Sequence, residues 1–187
     1  MSILIIIIAI IVVLALFAMS TYNGLVRHRN NRDNAFADID VQLKQRHDLV
    51  GQLVDTVKGY MKHESETLIK ITQARSGALA AQTIDQKIEA ENQLSAALSG
   101  LKISVEAYPD LKASGNFMHL QEEMSDIENK LAASRRYFNS ATREYNNAVE
   151  TFPANIFAGM FGFRREKMFD VGEAQRTILD APPKVNF

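Results

Sequence analysis

The feature that most constrains the fold of this chain is an uninterrupted apolar run from Ile3 to Met19. The run contains 17 residues, and no charged side chain occurs before Arg27. With its uncharged polar neighbours it reaches about 20 residues, the length that a helix needs to cross the hydrocarbon core of a bilayer. We therefore predict a transmembrane anchor over residues 1–22 that contacts the lipid bilayer through residues 3–21.

A cleaved secretory signal peptide is the alternative interpretation of this run. Signal peptides begin with a basic region, but no Lys or Arg precedes the apolar residues of this chain. The segment Ala18-Met19-Ser20 also matches a cleavage site only loosely. We therefore expect the run to be retained as an anchor.

The basic residues beside the run predict its orientation. Arg27, Arg29 and Arg32 follow the run, whereas no Lys or Arg precedes it. Positively charged flanks stay on the cytoplasmic side of a membrane. We therefore expect a single-pass protein with its N-terminus outside and the bulk of the chain in the cytoplasm.

The composition of the chain excludes several classes of function. The 187 residues carry a formal net charge of −1 and include no cysteine. Nucleic-acid binding requires a basic surface, so we expect no nucleic-acid partner. The lack of cysteine excludes disulfides, thiolate catalysis and cysteine-ligated metal sites.

The rest of the chain shows the period of amphipathic helices. It has no proline before Pro109 and no sustained alternation of apolar and polar residues, so strands are not expected. We predict helices at roughly 23–77, 83–108 and 116–152, followed by a C-terminal tail at 164–187. The clearest pattern is an apolar seam in the third helix, with alternating steps of three and four residues: Phe117, Leu120, Met124, Ile127, Leu131, Ser134, Phe138, Ala141, Tyr145, Ala148 and Phe152.

The first predicted helix carries an apolar stripe with two polar interruptions, His47 and Glu64. It also contains Gly51 and Gly59, and because glycine costs about 1 kcal/mol in a helix, we expect a kink or a close helix approach there. Apolar stripes are unstable in water, so the helices must pack together. We therefore predict an all-α fold, with a single N-terminal transmembrane helix followed by an antiparallel bundle of long helices over residues 23–163, packed as in coiled coils.

No segment has the residues of a known catalytic or metal-binding motif. The four histidines, His28, His47, His63 and His119, lack metal-ligand spacing, and we expect them to be surface or interface residues. No glycine-rich phosphate loop or converging pair of neighbouring carboxylates is present. We predict a non-enzyme with no catalytic, cofactor-binding or metal-binding residues; a site assembled from residues distant in sequence is the remaining alternative.

An aromatic stretch follows the third helix and ends at Phe163. If the first helix runs straight to Gly77 and two more helices follow, this stretch lies at the end of the bundle far from the membrane. It then caps the bundle or meets a second copy of the chain, and lipid contact is the third possibility. We predict a homo-oligomer and take as the candidate contact the following residues: Phe157, Met160, Phe161 and Phe163.

An ordered series of short motifs resembles the LemA family along essentially the whole chain. The motifs are Tyr22-Asn-Gly-Leu-Val-Arg27, Asp40-Val-Gln-Leu-Lys-Gln-Arg-His-Asp-Leu-Val50, Leu53-Val-Asp-Thr-Val-Lys-Gly-Tyr60, Tyr108-Pro-Asp-Leu-Lys112, Arg136-Tyr-Phe-Asn139, Tyr145-Asn146, Phe152-Pro153 and Gly162-Phe163. The resemblance implies a bacterial membrane protein with one N-terminal span, a mostly cytoplasmic all-helical domain and no established enzymatic activity. Many members of that family have proline at the position of Gly51, so the resemblance implies a weaker bend here.

These observations lead to two functional hypotheses. The first is a self-associating helical scaffold anchored in the bacterial inner membrane and without catalytic activity. The second is an adaptor or regulator of a membrane protease or an envelope-stress system, which requires a membrane-protein partner. No cofactor is expected for either.

Overall fold

The computed structural model describes residues 2–61 and 64–169. Its helices, in chain order, are α1 (Ser2–Lys58), α2 (Ser65–Ala80), α3 (Ile84–Val105), α4 (Pro109–Lys112), α5 (Gly115–Glu150) and α6 (Ala154–Met160). No strand occurs in these two ranges, and the predicted all-α fold is confirmed. Two subjects of the sequence analysis, His63 and the tail beyond residue 169, lie outside the described residues.

The N-terminal apolar run forms the first part of α1. Among the described helices, α1 is the one that is long and apolar enough to cross a membrane. The side chains of the run are exposed, from 75% at Ile3 to 42% at Phe17. An exposed apolar surface of this length calls for an apolar environment around it, which agrees with the predicted anchor.

The chain divides into two compact units. The first unit comprises Met1–Ile39 and Ala133–Met168, and the second is built mainly from Asp40–Ala132. Both α1 and α5 contribute residues to each unit.

In the first unit, α1 and α5 pack side by side in opposite directions. The rings of Phe36 and Phe138 meet edge to face, with their centroids 5.4 Å apart. Earlier in α1, Leu25 shares a buried cluster with Tyr145 and Val149 of α5. Because a lower number in α1 matches a higher number in α5, the C-terminal end of α5 lies beside the N-terminal part of α1.

In the second unit, residues of α1, α2, α3 and α5 surround one hydrophobic core. The short helix α4 adds Leu111, which is completely buried. Packing of this kind is typical of antiparallel helix bundles. The core consists of Val50, Leu53, Val54, Val57, Met61, Leu68, Ile71, Ala78, Leu94, Leu101, Val105, Leu111, Phe117 and Leu120.

Local sequence signals explain several helix ends. Thr83 caps α3 by accepting a hydrogen bond from the backbone of Gln86, whose side chain bonds back to the cap residue. Pro109 occupies the first position of α4, where its missing N–H is not needed. The sequence therefore placed the start of α3 and the turn before α5 at the right positions.

The prediction of one helix over residues 23–77 is wrong, because α1 ends at Lys58 and α2 begins at Ser65. The predicted apolar stripe is nevertheless correct, since Val57, Leu68 and Ile71 are all buried. The chain turns back after Gly59, and α2 buries its part of the stripe in the same core as the end of α1. A stripe that continues on both sides of a turn looks the same in sequence as one long helix.

The extra reversal changes the direction of every later helix. In the second unit, Arg46 of α1 pairs with Glu91 of α3 and Glu128 of α5. Lys87 of α3 pairs with Asp40, so α3 runs in the same direction as α1, with α2 between them in the chain. Helix α5 then runs in the direction opposite to α1. In the predicted arrangement of three helices, it would have run away from the membrane, in the same direction as α1.

The seam of α5 is buried along most of its length. Leu131 and Phe138 are completely buried, and Tyr145 is 2% exposed. The exception is Phe152, which is 75% exposed because α5 ends at Glu150. The apolar period therefore identified the buried face of α5 but placed its end two residues too late.

Candidate functional site

A tight turn follows α5 and returns the chain onto α1. The cis peptide bond between Phe152 and Pro153 precedes α6, and a Schellman motif with Gly162 just beyond the C-cap terminates the helix. The N–H of Phe163 donates to the carbonyl of Ala158 at 2.9 Å, and the N–H of Gly162 donates to the carbonyl of Gly159 at 3.4 Å. Gly162 has a φ of 75°, which glycine adopts without a steric cost.

This turn places three aromatic residues against α1. The ring of Phe157 lies 5.8 Å from that of Phe17, which belongs to the apolar run. The ring of Tyr22 meets Phe161 at 5.1 Å and Phe163 at 5.7 Å, in both cases edge to face. We call these five residues the juxtamembrane cluster, because they lie at the end of the candidate membrane span.

The segment after the turn is held by side chains of α5. The buried amide of Asn146 donates to the carbonyl of Glu166 at 2.9 Å and accepts from its N–H at 2.8 Å. Tyr145 is buried beside it, and burial, together with the charge of Glu166, raises the pKa of its phenol. The paired hydrogen bonds of Asn146 thus attach the chain after α6 to α5.

Basic side chains surround the cluster. The guanidinium of Arg29 lies 5.2 Å from the centre of the Phe163 ring, a distance suited to cation–π attraction. Arg27, Arg164 and Arg165 are exposed, and Arg165 forms an ion pair with Glu150 at 3.1 Å. The fold therefore adds positive charge from beyond α6 to that of the arginines that follow the span.

Arg32 has a different environment from the other arginines near the span. Its side chain is 5% exposed and lies 3.3 Å from the carboxylate of Glu166. Its guanidinium also stacks 5.0 Å from the centre of the Phe138 ring. This arginine therefore joins α1, α5 and the segment after α6 inside the first unit.

The location of the aromatic stretch differs from the predicted one. The predicted location was the end of the bundle far from the membrane, but Phe157 contacts Phe17 of the apolar run. The cause is the reversal after α1, which makes α5 run back toward the beginning of the chain. Motifs that lie far apart in sequence, namely those of Tyr22, Tyr145 and Phe163, meet here for the same reason.

The four predicted contact residues do not share one environment. Phe163 is 6% exposed and packs in the same buried cluster as Ala158. Phe157 is half-buried. Met160 and Phe161 are exposed by 75% and 44%. Phe157 and Phe163 therefore hold α6 onto the protein, whereas Met160 and the exposed part of Phe161 face the surroundings.

A buried ionic cluster lies in the second unit. Arg46 Nη1 donates to Glu91 Oε2 at 2.5 Å, and His47 Nε2 donates to Glu91 Oε1 at 2.5 Å. Arg46 Nη2 also donates to Ser95 Oγ at 2.9 Å and lies 2.7 Å from Glu128 Oε1. Arg46 and Glu91 are 2% and 1% exposed, so the pair is removed from water and neutralised internally.

The charge state of Glu91 follows from its neighbours. Burial on its own raises the pKa of the carboxyl group, because a charge is unfavourable away from water. The hydrogen bond from His47 and the positive charge of Arg46 outweigh this effect and lower the pKa below its ordinary value of 4.5. Glu91 is therefore ionised at neutral pH.

Gly51 permits a further contact beside the cluster. A Cβ at this position would lie 3.3 Å from Arg75 Nη2, so a larger residue would displace that side chain. Arg75 Nε donates to the backbone carbonyl of His47 at 2.6 Å. Gly51 thus leaves room for the Arg75 side chain, and α1 continues through this position without a break.

Arg46, Glu91 and Glu128 were not predicted from the sequence as members of a site. A signal was present, because His47 interrupts the apolar stripe of α1 and Glu91 stands between Ile88 and Leu94 in the stripe of α3. Two polar residues of opposite type in two seams indicate a pair across the interface. Only the relative direction and register of α1 and α3 were missing.

The ionic cluster borders an open groove of about 500 Å³ in the second unit. Its walls combine apolar side chains, such as Leu98 of α3 and Phe117 of α5, with polar and charged ones, such as Lys102 and Gln121. In the part of the chain that the structure describes, no group of three or more His, Asp or Glu residues is placed to hold a metal ion. The cluster itself is positioned to fix the pairing of helices, because all its strong contacts join different helices.

Removal of the central charge tests the role of the ionic cluster. Glu91→Gln should lower the free energy of unfolding by about 3–5 kcal/mol at neutral pH, because Arg46 loses its buried counterion. The control is Glu89→Gln, exposed on the same helix, which should change stability by no more than about 0.5 kcal/mol. Denaturant unfolding of the full chain in detergent, followed by circular dichroism, measures both.

The difference in stability between the wild type and Glu91→Gln should also depend on pH. The folded-state pKa of Glu91 lies below its ordinary value of 4.5, so its ionisation stabilises the fold fully above that value. This contribution is lost as the pH falls through the folded-state pKa. The stability difference between the wild type and Glu91→Gln should therefore decrease in acid; a difference that stays constant on acidification would contradict the assignment.

Two glycines of the α6 turn form a matched pair for a second test. A Cβ has open space at both Gly159 and Gly162, but only Gly162 has a positive φ. Gly162→Ala should destabilise the turn by about 1–2 kcal/mol, whereas Gly159→Ala should be neutral or stabilising by about 0.4–1 kcal/mol. Hydrogen–deuterium exchange over residues 158–163 measures the difference, and equal exchange in both variants would show that the turn does not depend on Gly162.

Comparison with known proteins identifies the family. The model of the LemA family matches residues 35–187. Protein LemA of Metamycoplasma hominis is 31% identical over 160 residues, which cover 84% of this chain and 73% of the relative. Magnetosome protein MamQ of Magnetospirillum gryphiswaldense is 22% identical over 187 residues, covering 86% of this chain and 69% of the relative. The match to the family model over most of the chain and the identity to protein LemA together show that this chain belongs to the LemA family.

Proposed function

We propose that this protein is a helical scaffold anchored by a single span in the bacterial inner membrane, without catalytic activity. The observation that carries the proposal is the continuity of α1. One unbroken helix of 57 residues begins in the exposed apolar run and contributes core residues to both helical units. Because α1 continues from the apolar run into the first helical unit without a break, no flexible linker separates the anchor from that unit.

The distribution of charge supports a cytoplasmic location of the helical units. Arg27 and Arg29 follow the span in sequence, and the fold brings exposed Arg164 and Arg165 beside the same aromatic cluster. Basic residues next to a span favour the cytoplasmic side, where anionic lipids attract them. Arg32 is buried in the folded protein. It still contributes positive charge when the span inserts, because insertion precedes folding.

The burial and the pairing of the charged side chains favour a scaffold over an enzyme. The most deeply buried charged groups, Arg46 and Glu91, bond to each other and to neighbouring helices. A catalytic group needs access to a substrate, whereas these groups are enclosed and paired. Their chemistry is suited to fixing the register of α1 against α3.

Self-association is the second part of the proposal. The apolar seam of α5 is buried within its own chain, so the seam itself is not free to join copies. In the second unit, α2 exposes the large apolar side chains of Ile69 and Leu79. We assign the contact between copies to the exposed side of α2.

The orientation can be tested with single cysteines, because the sequence contains none. Ser114→Cys should be shielded from a membrane-impermeant thiol reagent in intact spheroplasts and should react after lysis. Ser2→Cys, on the other side of the apolar run, is the control and should react in intact spheroplasts. The reverse pattern would place the helical units outside and would overturn the cytoplasmic assignment.

The scaffold role can be tested by the size and content of the purified assembly. The full chain, extracted in a mild detergent, should give a homogeneous particle that contains several copies of this chain alone. Ile69→Glu together with Leu79→Glu should reduce the particle size without changing helical content. A strictly monomeric wild type would contradict self-association, and a stoichiometric membrane protease in the particle would support the adaptor or regulator hypothesis instead.

A further inference from the structure

We propose that α6 and the turn at Gly162 form a second membrane contact, which inserts into the boundary between headgroups and acyl chains beside the anchor. This inference rests on the proposed anchoring of α1. It assigns the exposed residues of the aromatic stretch to lipid and not to a second copy of the chain.

The position of α6 along the axis of α1 supports this assignment. Phe157 contacts Phe17, which precedes the end of the apolar run at Met19 by only about 3 Å of helix. Tyr22, which contacts Phe161 and Phe163, lies about 7.5 Å farther along. Helix α6 therefore covers the level at which the span leaves the hydrocarbon, which is where interfacial segments bind.

The burial pattern of α6 separates a protein face from an outer face. Ala158 is 1% exposed and packs in the buried cluster of the first unit. Ile156 and Met160 are 55% and 75% exposed, although both are large apolar residues. Since Phe157 joins α6 to the exposed apolar surface of the anchor, the outer face continues that surface and meets the same environment.

The charges around α6 favour lipid over a second copy. Exposed Arg27, Arg164 and Lys167 are positioned in sequence beside the cluster, and Arg29 lies over Phe163. An apolar face with a basic border matches the acyl chains and anionic headgroups of a cytoplasmic leaflet. Two copies that met through this face would instead bring their basic borders together.

The lack of tryptophan in the sequence allows a direct test. Met160→Trp introduces a single fluorophore on the outer face of α6. Ile103→Trp is the matched control, because Ile103 of α3 is 77% exposed and Met160 is 75% exposed. Each full-length variant is reconstituted into vesicles of phosphatidylcholine and phosphatidylglycerol whose acyl chains carry bromine either near the headgroup or near the chain end.

The expected result is several-fold stronger quenching of Met160→Trp than of Ile103→Trp, with the strongest effect from bromine near the headgroup. Equal quenching of the two variants would overturn the inference. Emission from Met160→Trp that shifts to the blue as the protein-to-lipid ratio rises, without bromine quenching, would assign the face to a second copy and would also overturn it. Ile156→Trp provides a second reporter on the same face, read in the same way.

A third variant separates this inference from the proposed anchoring. Phe17→Trp reports on the span and should be quenched by brominated chains. If Phe17→Trp is quenched and both α6 reporters are not, the anchor stands and the second contact is refuted. If Phe17→Trp is not quenched, the anchoring itself is refuted and the second contact with it.

Discussion

The reversal of the chain between α1 and α2 determines where every later element lies. The apolar stripe of α1 continues into α2, and burying both parts in one core requires the chain to turn back after Gly59. With this turn, α3 runs in the same direction as α1 and α5 runs against it. The C-terminal part of α5 therefore lies beside the beginning of α1, where Tyr145 and Leu25 share a buried cluster. The juxtamembrane cluster exists only because of this direction.

The ionic cluster provides a reason for the register of this arrangement. Apolar seams tolerate sliding, because Leu and Val side chains contribute similar energies at neighbouring positions. Glu91 is 1% exposed and would be left without a partner after a shift of one helical turn, at a cost that apolar contacts do not match. Arg46 and His47 therefore fix α3 against α1, and Arg75 fixes α2 through the backbone of His47. Register is thus specified by a few polar contacts, while the apolar core supplies the stability.

Sequence patterns predicted the faces of the helices well and their connections less well. The seam of α5 and the stripe of α3 follow from period alone, because burial of Leu131 or Leu94 depends only on local spacing and on the presence of some partner helix. The break after Lys58 was missed because Gly59 gives the same signal inside a helix as at its end. The juxtamembrane cluster was not predicted for a related reason. Tyr22 and Phe163 meet across more than a hundred residues of chain, and their contact depends on the number of reversals between them.

The rigidity of the α6 turn gives its outer face a defined role. Apolar side chains on a mobile loop would collapse onto the protein, but here the Schellman motif, the two hydrogen bonds of Asn146 and the packing of Phe163 fix the backbone on both sides. Because the backbone is fixed on both sides, the side chain of Met160 remains exposed. The segment is attached to α1 through Phe157 and to α5 through Asn146, so the proposed membrane contact would depend on the orientation of α5. If α6 binds the bilayer as we propose, the anchor and α6 together would restrict rotation about the axis of the span, which a single helix alone leaves free.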